Sequence, residues 1–227
     1  MIRLKNVSKK YNGKYTLKNI DMTLESGEII GLLGRNGAGK TTLLEIIAGL
    51  LSPTEGQVTI NGTENYDLDL IGYLEDDPSF YEYLTPLEII HYYHLLHNLS
   101  ITPLEAKMYL EDYDLVDKKD EKIKNLSRGM KQKLGFLLTT IKKPFIFLLD
   151  EPFTGLDPKN LQMMKNKVFE FKEKGNIILL STHILSFASD LCDRVYFLDE
   201  GKIKHTTDDK MLLTEKLLED KFNEFII

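Results

Sequence analysis

The sequence predicts an α/β fold: a parallel sheet flanked by helices, with an N-terminal antiparallel β subdomain and an inserted α-helical subdomain. Three observations carry this. Apolar runs of strand length recur at Glu28–Leu33, Phe145–Leu149, Ile177–Leu180 and Val195–Leu198, the pattern of strands buried on both faces. A helical pattern at about 158–173 lies between two of them, and strand–helix–strand order implies parallel pairing. From about Pro86 to Ile141 the apolar spacing turns to three and four residues, in segments 86–97, 103–112 and 128–141.

Taken in order, the first 75 or so residues read as strands plus one helix. In Ile20-Asp21-Met22-Thr23-Leu24 the apolar residues alternate, as in a half-buried strand. Ser26-Gly27 turns the chain into the buried run Glu28–Leu33. Gln57-Val58-Thr59-Ile60 precedes Asn61-Gly62, a hairpin signal, and Ile71-Gly72-Tyr73-Leu74 reads as a further strand. The charge-rich stretch Asp117–Lys124 separates the last two helical segments. After Asp208 an amphipathic helix is expected, with Met211, Leu212, Leu217, Leu218 and Phe222 near one side. The expected division is a core of about 1–75 and 142–205, a helical subdomain of about 76–141 and a C-terminal helix of about 208–227.

Composition narrows the class. The chain of 227 residues is 42% hydrophobic and 28% charged, as in ordinary globular proteins. No apolar run approaches the ~18 residues of a membrane span, and Met1–Asn6 has no signal-peptide core. A single cysteine, Cys192, excludes an internal disulfide and fits a reducing cytoplasm. The net charge of −6 argues against broad nucleic-acid binding.

Directly after the apolar run Glu28–Leu33 comes Gly34-Arg35-Asn36-Gly37-Ala38-Gly39-Lys40-Thr41, followed by Thr42 and a helix. This is the strand, glycine loop and helix of a phosphate-binding P-loop, and so of a P-loop NTPase core. The glycines let backbone N–H groups turn toward an anion. Lys40 brings a positive charge to β- and γ-phosphates, and the Thr41 hydroxyl can ligate Mg²⁺. The following helix aims its positive end at the anion. The run Phe145–Leu149 ends in Asp150-Glu151-Pro152, two carboxylates at the strand end where α/β proteins bind ligands. Asp150 suits Mg²⁺ and Glu151 suits the general base for water.

Leu126-Ser127-Arg128-Gly129-Met130, shortly upstream of that strand, resembles the signature motif of ATP-binding cassette (ABC) ATPases. The other markers of that family follow in its order, from about Ile2 to His205. Tyr11 matches the aromatic that stacks on adenine, Gly155-Leu156-Asp157 the D-loop, and His183 in Ser181-Thr182-His183 the switch histidine. The resemblance implies a head-to-tail dimer, homodimeric or heterodimeric with a related ATPase, holding two ATP molecules between the chains. Ser127, Arg128 and Gly129 would meet the γ-phosphate held by the other chain. Ser127 would also cap its helix, leaving N–H donors for an anion. His183 would steady the attacking water, and Asp157 would report closure of the dimer.

Two positions depart from the family pattern. Asp76, in Glu75-Asp76-Asp77, falls where the family has a glutamine that senses Mg²⁺ and the γ-phosphate; a carboxylate there can still ligate Mg²⁺. Arg128 stands where many members have glycine, and either adds charge near the phosphates or points to water. His91, His94 and His97 lie three apart, drift around their helix and have no Cys or carboxylate partner, so they are expected to form a solvent- or partner-facing stripe. The aromatics of Phe80-Tyr81-Glu82-Tyr83-Leu84 follow the sensing loop, where the family receives its membrane partner, or else pack the subdomain.

The resemblance implies a cytoplasmic ATPase subunit, peripheral on the inner face of the cell membrane through a separate transmembrane permease. The signature and switch segments look most like bacterial two-component exporters. An importer ATPase and a soluble ABC ATPase of translation or DNA repair are the alternatives. The one-cassette length and acidic charge disfavour the soluble class.

Overall fold

The structure is a computed structural model and describes residues 1–208 and 213–226. Strand β1 (Ile2–Tyr11) turns through Asn12-Gly13, both at positive φ, into β2 (Lys14–Leu24). That two-residue turn needs left-handed backbone, which Asn and Gly supply. β1 also pairs antiparallel with β4 (Glu55–Ile60), giving a three-stranded sheet in the order β2-β1-β4. The Asn61-Gly62 signal therefore marks a real turn but not a hairpin of two strands. It closes only the bridge Ile60↔Thr63, because β4 takes its partner from the other end of the subdomain.

The second sheet holds β3 (Ile29–Leu33), β5 (Ile71–Leu74), β6 (Ile146–Asp150), β7 (Ile177–Thr182), β8 (Arg194–Asp199) and β9 (Lys202–Thr207). Their order is β5-β6-β7-β3-β8-β9, parallel except for the antiparallel edge β9. Strand period divides each central strand between two cores. Ile29, Leu33, Phe147, Leu149, Ile178 and Leu180 face one core. Ile30, Leu32, Ile146, Leu148, Ile177 and Leu179 face the other, together with β1, β2 and α1 (Lys40–Ile47). The apolar runs of the sequence are thus strands covered on both sides.

The helices between β5 and β6 are α2 (Pro86–Leu96), α3 (Pro103–Asp112) and α4 (Arg128–Thr140). α2 and α3 begin with the same four residues, Thr-Pro-Leu-Glu, and each forms a capping box between its Thr and its Glu. Proline at the first position needs no N–H partner there, so the start is doubly specified. α5 (Pro158–Glu173) starts in the same way after Asp157, whose carboxylate accepts from the Asn160 N–H at 3.0 Å. That N–H holds the Asp157 carboxyl below its usual range.

The histidine stripe is corrected by the fold. His94 is buried, its Nδ1 lies 2.8 Å from the Ile90 carbonyl and its ring tilts against Tyr109. His91 and His97 are half-buried. α2 packs on both α3 and α4, so it has no single wet face for three residues that drift around it. The aromatic segment divides: Phe80 and Leu84 pack against the core, whereas Tyr81 and Tyr83 are 61% and 71% exposed.

Beyond β7 lie α6 (Leu185–Leu191), β9 and α7 (Glu215–Ile226). The expected C-terminal helix starts seven residues later than Asp208; Met211 and Leu212 lie outside the described residues, whereas Leu218 is buried. Among the described residues no helix is long and apolar enough to cross a membrane.

Candidate active site

The chain leaves β3 through the glycine loop and enters α1 at Lys40. A Cβ on Gly34 would stand 2.3 Å from the Leu198 carbonyl oxygen, so the loop can lie against β8 only with glycine there. Gly37 and Gly39 adopt φ of 82° and 107°, in the left-handed region that glycine enters freely. Gly39 is the N-cap of α1, and no side chain caps that helix start. Its first N–H groups therefore remain donors for an anion.

Lys40 is only 7% exposed. Its Nζ donates to the Gly34 carbonyl at 2.8 Å and the Arg35 carbonyl at 3.3 Å, and lies 3.6 Å from Glu151 Oε1. A buried ammonium needs such oxygen partners, and phosphate oxygens are stronger ones.

The carboxyl end of β6 supplies Asp150, which is 2% exposed. Thr41 Oγ1 donates to Asp150 Oδ2 at 2.6 Å, and the Ser181 hydroxyl donates to Asp150 Oδ1. Ser181 stands opposite Asp150 because β6 and β7 are parallel and in register there. The next residue, Glu151, has φ of 45°, a strained value for a non-glycine residue. Its N–H donates to Ser181 Oγ at 3.0 Å, and its Oε1 lies 2.9 Å from His183 Nδ1. Ser181 thus holds both acidic residues and escaped the sequence reading of site residues. The signal lay in a strand-end hydroxyl in the Ser-Thr-His run.

A cleft of about 270 Å³ joins these groups. Arg35, Asn36, Gly37, Gly39, Lys40, Thr41 and Thr42 line it, together with Asp76, Asp150, Glu151 and, unanticipated, Thr16. Gly34 and Ala38 shape the loop from behind; Ala38 is buried and its N–H donates to the Arg35 carbonyl at 3.2 Å. The remaining expected residues do not line the cleft. Tyr11 is exposed at the β1–β2 turn with Lys9 Nζ 5.3 Å from its ring centre. The His183 side chain is half exposed and reaches the site through Glu151. Ser127 caps α4 by accepting from the Met130 N–H at 3.3 Å. Gly129 packs against Gly155, whose carbonyl oxygen would lie 2.7 Å from a Cβ at 129. A larger cavity of about 600 Å³ near His94, Tyr109 and Lys142 lacks a glycine loop and paired carboxylates, so size does not mark the phosphate site.

Thr41 and Asp150 offer hard oxygen donors that already touch each other, a pairing that fits Mg²⁺. Among the described residues no cluster of three or more His, Cys, Asp or Glu could hold a metal alone. A magnesium ion here would take its other ligands from phosphate and water, as it usually does.

A doubly covered parallel sheet, a glycine loop running into a helix and two acids at the adjoining strand end define a P-loop nucleotide hydrolase. Comparison with known proteins makes this narrower. Residues 17–154 match the family model described as ABC transporter. An uncharacterised ABC transporter ATP-binding protein of Methanocaldococcus jannaschii is 37% identical over 206 residues, covering 90% of this chain and 76% of that protein. The lantibiotic transport ATP-binding protein SrtF of Streptococcus pyogenes is 36% identical, covering 89% of each chain. Among solved structures, a dimeric ATP-binding cassette in a post-hydrolysis state, bound to ADP and Pi, superposes with a TM-score of 0.82 at 26% identity. It covers 91% of this chain and 98% of that one. The chain belongs to the ABC transporter family: it is an ATP-binding subunit and an ATP hydrolase.

Proposed function

We propose that this chain drives export through a separate transmembrane permease, working at the inner face of the cell membrane as a dimer that holds two ATP molecules between its chains. The observation that carries the catalytic part is the contact set of Glu151: Lys40 Nζ at 3.6 Å, His183 Nδ1 at 2.9 Å, and Ser181 fixing its backbone. The likeness to a lantibiotic transport protein supports export over import, and the dimeric ADP-bound cassette supports the two-chain arrangement.

In this reading Lys40 exchanges its loop carbonyls for the β- and γ-phosphate oxygens. The loop amides and the uncapped start of α1 neutralise the rest of that charge. Thr41 and Asp150, with Asp76 at the cleft wall, would hold Mg²⁺, which would supply charge neutralisation for the triphosphate. Glu151 accepts a proton as water attacks the γ-phosphorus and the bond to the β-phosphate oxygen breaks, releasing ADP and phosphate. His183 keeps the Glu151 carboxylate aimed and contacts the γ-phosphate. Tyr11 stacks on the adenine. Ser127 and Gly129 serve the ATP of the second chain, and Asp157 meets that chain. The exposed aromatics Tyr81 and Tyr83 face the permease.

Two substitutions separate binding from turnover. Lys40→Ala is expected to weaken ATP binding about tenfold or more, since it removes a charged hydrogen-bond donor. Glu151→Gln is expected to bind ATP, lose about a hundredfold or more in kcat, and accumulate as dimer. Unchanged steady-state ATPase in Glu151→Gln would refute the role of Glu151. Capture of the Glu151→Gln protein from detergent-solubilised native membranes tests the partner. A stoichiometric multi-span membrane protein supports the transporter reading; ribosomal or DNA-repair proteins in its place point to the soluble class.

A further inference from the structure

Both positions at which the chain departs from the family pattern touch each other. A guanidinium nitrogen of Arg128 lies 3.7 Å from Asp76 Oδ1. Asp76 lines the chain's own phosphate cleft, whereas Arg128 opens α4, outside that cleft. The stem of Arg128 also lies against Gly155: a Cβ on Gly155 would meet its Cδ at 3.3 Å and its Cγ at 3.4 Å. One side chain therefore spans three segments: the loop after β5, the start of α4 and the turn between β6 and α5.

The chemistry of the pair is informative because its signs match. A carboxylate at 76 adds negative charge to a cleft that must receive a triphosphate, and repulsion there disfavours the ligand. A guanidinium within 4 Å offsets that charge and carries it toward the surface of α4. Both side chains are more than half exposed, so the pair contributes little to folding stability. Its effect is to be sought in the response to nucleotide.

We propose that Arg128 is a positioning residue that compensates Asp76, offsetting the carboxylate at the wall of the chain's own ATP cleft and fixing the start of α4 beside it. This rests on the two-chain reading above. Without Arg128, Asp76 repels the incoming triphosphate and the start of α4 loses its link to the cleft. With a neutral residue at 76, the need for Arg128 is relieved.

The test titrates ATP against dimer formation, followed by light scattering, in a Glu151→Gln background. Arg128→Gln is expected to raise the half-saturating ATP concentration about three- to tenfold. Arg128→Lys keeps the charge and is expected to restore most of that loss. Measured in an Asp76→Asn background, the further effect of Arg128→Gln is expected to shrink to within about twofold. The thermal unfolding midpoint without nucleotide should not move in any of them, which separates positioning from folding. A loss in Arg128→Gln that persists in full in the double variant overturns the proposal, because Arg128 then acts independently of Asp76. A wild-type midpoint in Arg128→Gln overturns it as well. A Glu151→Gln parent that fails to dimerise with ATP overturns the two-chain reading itself, and this proposal with it.

Discussion

Ser181 shows how one buried hydroxyl can organise two acids. It is fully buried, donates to Asp150 and accepts from the Glu151 N–H. Ser181→Ala would leave a buried N–H without its partner and Asp150 Oδ1 without its donor, at a cost of about 1–3 kcal/mol. The expected outcome is a lower urea midpoint together with reduced kcat, since the Glu151 backbone sits at a strained φ that its neighbours must hold. An unfolding curve and ATPase rate equal to wild type would show that Glu151 is held some other way. At this scale the residues that bear charge or glycine freedom were legible in sequence: Lys40, Asp150 and Glu151 owe their recognition to local spacing. Ser181 and Thr16 were not: Thr16 carries no local mark, and the strand-end hydroxyl of Ser181 gains its role only once β6 is known to lie across from it.

Elements were legible where their ends were chemically marked. The two Thr-Pro-Leu-Glu starts and the Asp157-Pro158 start set three helix boundaries close to those expected from periodicity. α6 was missed because Ile184 has no side-chain oxygen with which to cap it and the helix is only seven residues long. β9 was missed because it is a polar edge strand, joined to β8 through Glu200-Gly201 at positive φ. The cap of α5 makes a pH prediction. Asp157 has a depressed carboxyl pKa from the Asn160 N–H, so its contribution is full above the unfolded value near ~4 and is lost as pH falls through the lower folded value. Hydrogen exchange in the first turn of α5 should therefore be protected equally at pH 7 and pH 5 relative to intrinsic rates. Protection should fall below about pH 4, while Asp157→Asn, which keeps an acceptor, should lose that acid sensitivity. Equal acid sensitivity in Asp157→Asn would assign the effect to another group.

At the scale of the whole molecule, two cores clamp one sheet, and Asp150 and Glu151 stand at the carboxyl end of its second strand, β6. Phe147 is 2% exposed and stacks on Phe171 of α5 with ring centres 4.3 Å apart and planes 10° from parallel. Phe147→Ala is expected to cost about 3–5 kcal/mol, read from the denaturant midpoint. Because Phe147 precedes Asp150 by less than one strand length, kcat should fall further than the unfolded fraction explains. A destabilised variant with full kcat per folded molecule would show that the strand end is positioned independently of its core.

By itself the sequence determined the local frame of this protein: a strand–glycine loop–helix for phosphate, an apolar strand ending in Asp150-Glu151, and helices opened by Thr-Pro-Leu-Glu. Those features depend on backbone conformation and on neighbours within a few residues, which the chain order specifies directly. Tertiary structure alone decided that β7 lies beside β6, so that Ser181 and His183 reach Asp150 and Glu151. It also decided that Arg128 meets Asp76 and that His94 is buried rather than wet. Strand period says which face a side chain takes but not which strand stands next to it. That choice is made only when the two faces of the sheet are covered and every buried donor must find an acceptor.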